Sequence, residues 1–319
     1  MFNELTLESV RAAAARIAPY ILRTPVIRQS ARTDCELFLK AECLQSIGAF
    51  KIRGAFSMIT TLPKDCKGVV TDSSGNHAQA VARAAKVLGL RAVVCMSEKA
   101  SPLKRRRTEA DGAEIVTTAD DSDELIRRST QIAAEQGLVR VPPYNHPLIA
   151  AGQGTAALEL LEDVQSLDRF YCPVSGGGLL SGCATVLAAL SPNTEIIGVE
   201  PEAANDTFLS FQKGERVKID PPKTSADGLR VRTPGDFTWP VVKKLVHRIA
   251  LVSENEMRNA IAWAAYRTRL VLEPSGAAGL AAALREGTGR CGVLLSGGNV
   301  DPTLFADIMR DAIPGVLTI

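Results

Sequence analysis

Between residues 68 and 146 the sequence alternates short apolar runs with alanine-rich or amphipathic stretches of helical length, and this alternation constrains the fold more than any other feature. Gly68-Val-Val-Thr71 reads as a buried strand, followed by a helix that reaches Leu88. Residues 91–96 form a second strand before a helix over 102–110, and residues 114–117 a third before a helix over 123–136. Strand and helix units of this length predict a parallel sheet covered on both faces. The pattern restarts after Pro142-Pro143-Tyr144-Asn145-His146-Pro147, with helices over 150–164 and 179–190 and strands over 170–174 and 195–200. Residues 201–245 are rich in proline, lysine and aspartate and read as loop-dominated. A strand over 247–252, two helices over 255–284, a strand over 292–296 and a helix over 304–311 follow. At the start, residues 5–20 form an amphipathic helix, Thr24-Pro25-Val26 breaks it, and residues 36–41 form a strand. The early strand and the later block both need a sheet. The fold class is therefore α/β, with two αβ domains and mostly parallel twisted sheets. Residues 68–146 form a small mobile domain inserted in a large one made of 1–67 and 147–319, and the cleft between them is the expected ligand site.

A chain of 319 residues is long enough for two such cores. Its 37 basic and 35 acidic residues give a net charge of +2, which offers no electrostatic footprint for nucleic acid or an anionic membrane. The basic run from Lys104 to Arg107 is short and reads as a solvated helix face. The opening Met-Phe-Asn-Glu-Leu-Thr lacks a basic segment followed by an apolar stretch, and no run reaches the length of a membrane span. A soluble, cytoplasmic protein is expected. Seven cysteines without paired spacing predict reduced thiols, and the three histidines, at 77, 146 and 247, lack metal-ligand spacing.

Four short motifs carry chemistry. In Ser46-Ile-Gly-Ala-Phe-Lys-Ile-Arg-Gly-Ala55, Lys51 lies between Phe50 and Ile52 at a helix start. A partly apolar setting lowers an amine's pKa and suits it to condense with an aldehyde, the way pyridoxal phosphate is held. A lysine snorkelling past a phenylalanine is the plainer alternative. Ser175-Gly176-Gly177-Gly178-Leu179 follows a strand and opens a helix, so its backbone N–H groups read as a cradle for a monoester phosphate, or simply as a flexible turn. It has neither the Gly-Lys-Ser/Thr ending of a Walker loop nor the dinucleotide spacing. Ser73-Ser74-Gly75-Asn76-His77 is a second strand-to-helix turn, suited to a substrate carboxylate, with Asn76 as a donor to a phenolate oxygen. Ser296-Gly297-Gly298-Asn299 ends the last strand, where a serine can bond a pyridine nitrogen without fully charging it. Either serine cluster alone reads equally as helix capping.

Together these stretches resemble the fold type II pyridoxal-phosphate enzymes, the group of tryptophan synthase β, and within it the serine/threonine dehydratase and serine racemase family. Ala151-Gly-Gln-Gly-Thr155, Gly198-Val-Glu-Pro201, Ala226-Asp-Gly228 and Glu273-Pro-Ser-Gly276 extend the resemblance over nearly the whole chain. It implies Lys51 as the Schiff-base lysine, Phe50 against the ring, Asn76 at the ring hydroxyl, Gly176, Gly177, Gly178 and Leu179 on the phosphate, Ser296 at the ring nitrogen, and Gly228 and Glu273 lining the pocket. Ser73, Ser74, Gly75, Asn76 and His77 would meet the substrate. Many threonine dehydratases carry alanine where this chain has Ser74, whereas serine racemases and hydroxyaspartate dehydratases carry serine, which serves as acid or base on the face opposite the lysine.

The resemblance further implies a magnesium or calcium ion at Glu200, Ala204 and Asp206, oxygen ligands that suit hard cations. A solvated loop is the alternative there. A homodimer acting on a small-molecule amino acid is expected. Some positions depart from the family pattern. Ala49 stands where serine is common, and Ser46-Ile47 replaces a lysine-threonine pair linked to nucleotide binding in animal serine racemases, which argues against ATP activation. For the arginine that contacts a dicarboxylate, Arg127 and Arg128 are only approximate matches. The chain ends soon after its last helix, so no regulatory domain is expected. The resemblance implies a dehydratase that converts L-serine, L-threonine or threo-3-hydroxyaspartate to a 2-oxo acid and ammonia, with Lys51 removing the α-proton. The alternative is a serine or aspartate racemase with side dehydratase activity. A noncatalytic binding module would have no use for an imine-forming amine.

Overall fold

The computed structural model describes residues 4–312; Met1 to Asn3 and residues 313–319, on which the reading of the two chain ends partly rests, lie outside the described residues. The strands are β1 (Val26–Arg32), β2 (Cys35–Lys40), β3 (Val69–Asp72), β4 (Ala92–Ser97), β5 (Glu114–Thr118), β6 (Val139–Arg140), β7 (Arg169–Pro173), β8 (Glu195–Pro201), β9 (Arg248–Val252) and β10 (Gly289–Leu294). The helices are α1 (Leu7–Ile17), α2 (Lys51–Ile59), α3 (Asn76–Val87), α4 (Pro102–Ala110), α5 (Ser122–Gln136), α6 (Pro147–Val164), α7 (Gly178–Leu190), α8 (Asp206–Lys213), α9 (Thr238–Leu245), α10 (Glu254–Thr268), α11 (Pro274–Glu286) and α12 (Pro302–Asp311).

Two sheets result, one of six strands in the order β1-β2-β10-β7-β8-β9 and one of four in the order β5-β4-β3-β6. All neighbours run parallel except β1 and β2, which form an antiparallel edge pair. The chain leaves the larger sheet after β2, builds the smaller one from β3 to β6, and returns at β7. The central strands β3 and β4 are buried at every position, as a sheet covered by helices on both faces requires. Strand order reverses beside β3 in one sheet and beside β7 in the other, so the loops after β3, β7 and β10 sit where α/β sheets open a crevice.

Two stretches differ from the sequence reading, and the two-residue strand β6 was not read at all. The segment after Pro25, read only as a break, is the edge strand β1, whose half-buried pattern dilutes its periodicity. The stretch 201–245, read as loop-dominated, holds α8 and α9, two helices of eight residues each. Helices this short carry little propensity signal and are stabilised by tertiary packing, here through buried Thr238, Trp239 and Val242 of α9.

A buried ionic network anchors α2. Arg53 Nε and Nη2 donate to the two Glu42 oxygens at 2.7 and 2.8 Å, while Nη1 and Nη2 reach Glu159 at 2.7 Å each. Lys40 Nζ completes the set at 2.6 Å from Glu159 and 2.7 Å from the Thr24 carbonyl. Arg53, Glu42 and Lys40 are fully buried. Burial opposes the charge on Glu42, but Arg53 outweighs it and holds the carboxyl below its ordinary value. Arg53 follows Lys51 by only two residues, so the network anchors the start of the helix from which that lysine emerges. No helix among the described residues is long and apolar enough to cross a membrane, and the seven cysteines are free thiols.

Candidate active site

The loops at the strand ends surround one cavity of about 490 Å³. Phe50, Lys51, Ser73, Ser74, Gly75, Asn76, His77, Gly176, Gly178, Leu179, Gly228, Glu273 and Ser296 all line it. Gly177 does not: it is the N-cap of α7 at φ 86°, and a Cβ there would meet Thr238 Oγ1 behind the loop at 2.9 Å. Arg127 is exposed and pairs with Glu124, and neither it nor Arg128 lines the cavity.

Lys51 is placed by two backbone ties. The Phe50 N–H donates to the Ser296 carbonyl at 3.0 Å, and Ala49 bridges Gly297, so α2 starts directly against the loop after β10. The Lys51 amine donates to the Pro143 carbonyl at 2.6 Å and lies 5.2 Å from the Phe50 ring centre. Burial pulls its pKa down to about 8, so about a tenth of the amine is neutral at pH 7.

The loop after β7 presents an anion cradle. Ser175 and Gly177 both have left-handed backbone, at φ 53° and 86°, which turns successive N–H groups to one side. No side chain caps α7, so its first N–H groups are left for a ligand. The Tyr144 ring packs against this loop so closely that a Cβ on Gly176 would fall 2.3 Å from it. Tyr144 and the Pro143 carbonyl belong to the Pro-Pro-Tyr-Asn strap, which the sequence reading took only as a boundary.

On the smaller-sheet side, Ser74 Oγ accepts the Ser97 N–H at 2.9 Å, which leaves its own proton free to donate. Ser73 Oγ accepts the Gly75 N–H at 3.3 Å. The His77 ring is buried with Nε2 3.0 Å from the Val141 carbonyl, and burial, with the nearby Lys51 charge, pulls its pKa down to about 3. It is a neutral, structurally engaged ring. Asn76 Nδ2 donates to Glu273 Oε1 at 2.5 Å. The other Glu273 oxygen is buried without a hydrogen-bond partner, 4.0 Å from Lys104 Nζ, and burial pushes this carboxyl up to about 7. Ser296 Oγ donates to the Ser275 carbonyl at 3.4 Å, and Ser275 Oγ accepts the Gly228 N–H at 2.9 Å. Lys104 of α4 also pairs with Asp227 beside Gly228. Lys104, read in the sequence as part of a solvated helix face, is instead buried and lines the cavity, because its partner Asp227, seen in the sequence only within Ala226-Asp-Gly228, is brought beside it by the fold.

An amine of lowered pKa, an uncapped helix start for an anion and a ring of neutral donors around an apolar wall fit pyridoxal phosphate. Glu200, Ala204 and Asp206 lie apart from this cavity, all buried. Glu200 accepts the Thr207 and Phe208 N–H groups at 3.3 and 2.9 Å, whereas both Asp206 oxygens are buried without partners. Burial raises both carboxyl pKa values, and on Asp206 the neighbouring Glu200 adds to the effect. Among the described residues, no group of three or more His, Cys, Asp or Glu side chains could hold a metal.

Comparison with known proteins agrees with this chemistry. A family profile described as "Pyridoxal-phosphate dependent enzyme" matches residues 17–297. The chain is 41% identical to the L-threo-3-hydroxyaspartate ammonia-lyase of Saccharomyces cerevisiae, covering 95% of this chain and 96% of that one. It is 40% identical to the serine racemase of Schizosaccharomyces pombe, covering 95% and 97%. Among solved structures, the threonine deaminase of T.th. superposes with a TM-score of 0.88 at 41% identity, covering 93% of this chain and 99% of that one. The chain thus belongs to the pyridoxal-phosphate dependent enzymes, in the fold type II group that holds the serine racemases, threonine deaminases and hydroxyaspartate ammonia-lyases.

Proposed function

We propose that the protein is an ammonia-lyase that converts a 3-hydroxy amino acid, L-serine, L-threonine or threo-3-hydroxyaspartate, to a 2-oxo acid and ammonia. The observation that carries this reading is Lys51, a half-buried lysine whose desolvated amine is brought to a pKa of about 8 in the same cavity as the uncapped start of α7. Lys51 would hold pyridoxal phosphate, with Gly176 to Leu179 at the phosphate, Phe50 against the ring, Asn76 at the ring oxygen, Ser296 at the ring nitrogen, and Gly228 and Glu273 completing the wall. Bound there, the cofactor supplies an electron sink for negative charge at the substrate α-carbon.

The chain's own groups do the proton work. Lys51, once free, takes the α-proton, and the Pro143 carbonyl, its hydrogen-bond acceptor in this structure, steadies the resulting ammonium. The N–H groups and hydroxyls of Ser73 to Asn76 bind the substrate carboxylate at the uncapped start of α3. Ser74 keeps a donatable proton because its oxygen is already occupied by the Ser97 N–H. That hydroxyl supports a second reading, a serine or aspartate racemase with side dehydratase activity, since the relatives themselves divide between lyases and racemases. Keto-acid assays on serine, threonine and both threo-3-hydroxyaspartate enantiomers, run beside chiral chromatography of L-serine reactions, separate the two. Dehydration as the main activity is the expected result, because hydrolysis of the released product is irreversible whereas racemisation only equilibrates. D-serine forming faster than the 2-oxo acid would overturn it.

Three further parts belong to the same proposal. A magnesium or calcium ion binds Glu200, the Ala204 carbonyl and Asp206, supported by the two unpartnered Asp206 oxygens. Residues 68–146 act as a small mobile domain against 1–67 and 147–319. The active form is a cytoplasmic homodimer.

A further inference from the structure

Asn299 closes the Ser296-Gly-Gly-Asn motif but does not line the cavity. It is almost fully buried and makes three hydrogen bonds whose directions are all determined. Arg107 Nη1 of α4 donates to Asn299 Oδ1 at 2.6 Å. Asn299 Nδ2 donates to the Ile47 carbonyl at 2.8 Å and to Asn76 Oδ1 at 2.8 Å. Asn76 Nδ2 then donates to Glu273 Oε1 at 2.5 Å.

An amide side chain has nearly the same shape either way round, so its neighbours decide which end faces where. Here the ends of the chain decide. A guanidinium can only donate and the Ile47 carbonyl can only accept, so Asn299 has one allowed orientation. That orientation presents a donor to Asn76, which must answer with its oxygen. Asn76 is thereby left with only N–H groups for Glu273 and the cavity. The backbone makes room for this chain: a Cβ at Gly48 would fall 2.5 Å from Asn299 Oδ1, and one at Gly297 would fall 2.2 Å from Glu273 Oε1.

We propose that Arg107 and Asn299 are positioning residues that set the donor sense of Asn76, so that the cavity offers N–H and not C=O to the oxygen of a bound pyridoxal ring. The inference rests on the reading that this cavity holds pyridoxal phosphate. The chain runs from α4, packed on the smaller sheet, to the loop after β10 of the larger sheet and back to α3. It is complete only when the two sheets are docked.

The test is titration of the cofactor-free protein with pyridoxal phosphate, reading the dissociation constant and the visible absorption band, together with thermal unfolding of the cofactor-free forms. Arg107→Met removes the donor that orients Asn299, and we expect about fivefold weaker binding, the size of one hydrogen bond, with a shifted band. Arg107→Lys restores a donor and should recover most of both. Asn299→Asp cannot donate to Asn76, so it should weaken binding about tenfold or more and shift the band further. It also serves as the independent variant should Arg107→Met fold poorly. Wild-type affinity and band position in both Arg107→Met and Asn299→Asp would overturn the proposal. So would weaker binding with an unmoved band and a matching loss of cofactor-free stability, the mark of a purely structural tie. Failure of the wild-type protein to bind pyridoxal phosphate would instead overturn the functional reading itself.

Discussion

In the proposed mechanism the chemistry turns on Lys51 and Ser74, and the two differ in how legible they were. Lys51 stood out because an amine between phenylalanine and isoleucine at a helix start invites desolvation, and the fold, by burying it, decides against a snorkelling lysine. Its value of about 8 also has a pH consequence. Imine formation needs the neutral amine, so the rate of cofactor uptake should rise with pH and level off just above 8; stopped-flow absorbance would show it. A rise continuing toward the 10.5 of an ordinary lysine would mean that the amine is not desolvated. Ser74 was legible only through family resemblance, since its useful property, an oxygen occupied by the Ser97 N–H, is made by the fold. If Ser74 serves the second face, Ser74→Ala should suppress D-serine formation at least ~10-fold more than keto-acid formation. Equal loss of both would make it a general binding group. Arg107 and Asn299 could not be paired in advance, because 192 positions separate them.

At the scale of elements, the strong periodic units were readable and the weak ones were not. The central strands β3 and β4 of the smaller sheet are buried on both faces and so announced themselves, whereas β1 at the edge, the two-residue β6 and the eight-residue α8 and α9 did not. The sequence also placed α2 without revealing what holds it. Arg53 is a fully buried guanidinium joined to two carboxylates, and removing one partner of such a set strands charge in the core. Arg53→Met should therefore cost ~3–5 kcal/mol of stability in denaturant unfolding. A loss under about 1 kcal/mol would show that α2 is held by packing alone. Gly176→Ala should weaken cofactor binding, because the new methyl group would run into the Tyr144 ring. Unchanged affinity in a titration would exclude a phosphate at that loop.

For the molecule as a whole, two features join parts that are distant in sequence. The Lys104–Asp227 pair and the Arg107–Asn299 bond both carry α4 onto the larger-sheet side of the cavity, which gives the proposed small domain a defined closed position. At Glu200 and Asp206, two buried carboxylates with unpartnered oxygens on Asp206 should make the protein respond to divalent ions. Chelation is expected to lower the thermal midpoint, with magnesium or calcium restoring it, while a chelator series that leaves both midpoint and activity flat would remove the cation from the account. The central claim is that this cavity works through one lysine. Borohydride reduction of the protein loaded with pyridoxal phosphate, followed by peptide mass mapping, tests it most directly. The account predicts a single phosphopyridoxyl adduct on Lys51, none in a folded Lys51→Ala variant, and a fall in that variant's 2-oxo acid production of ~10³-fold or more. An adduct on a different lysine, or full turnover without Lys51, would contradict it.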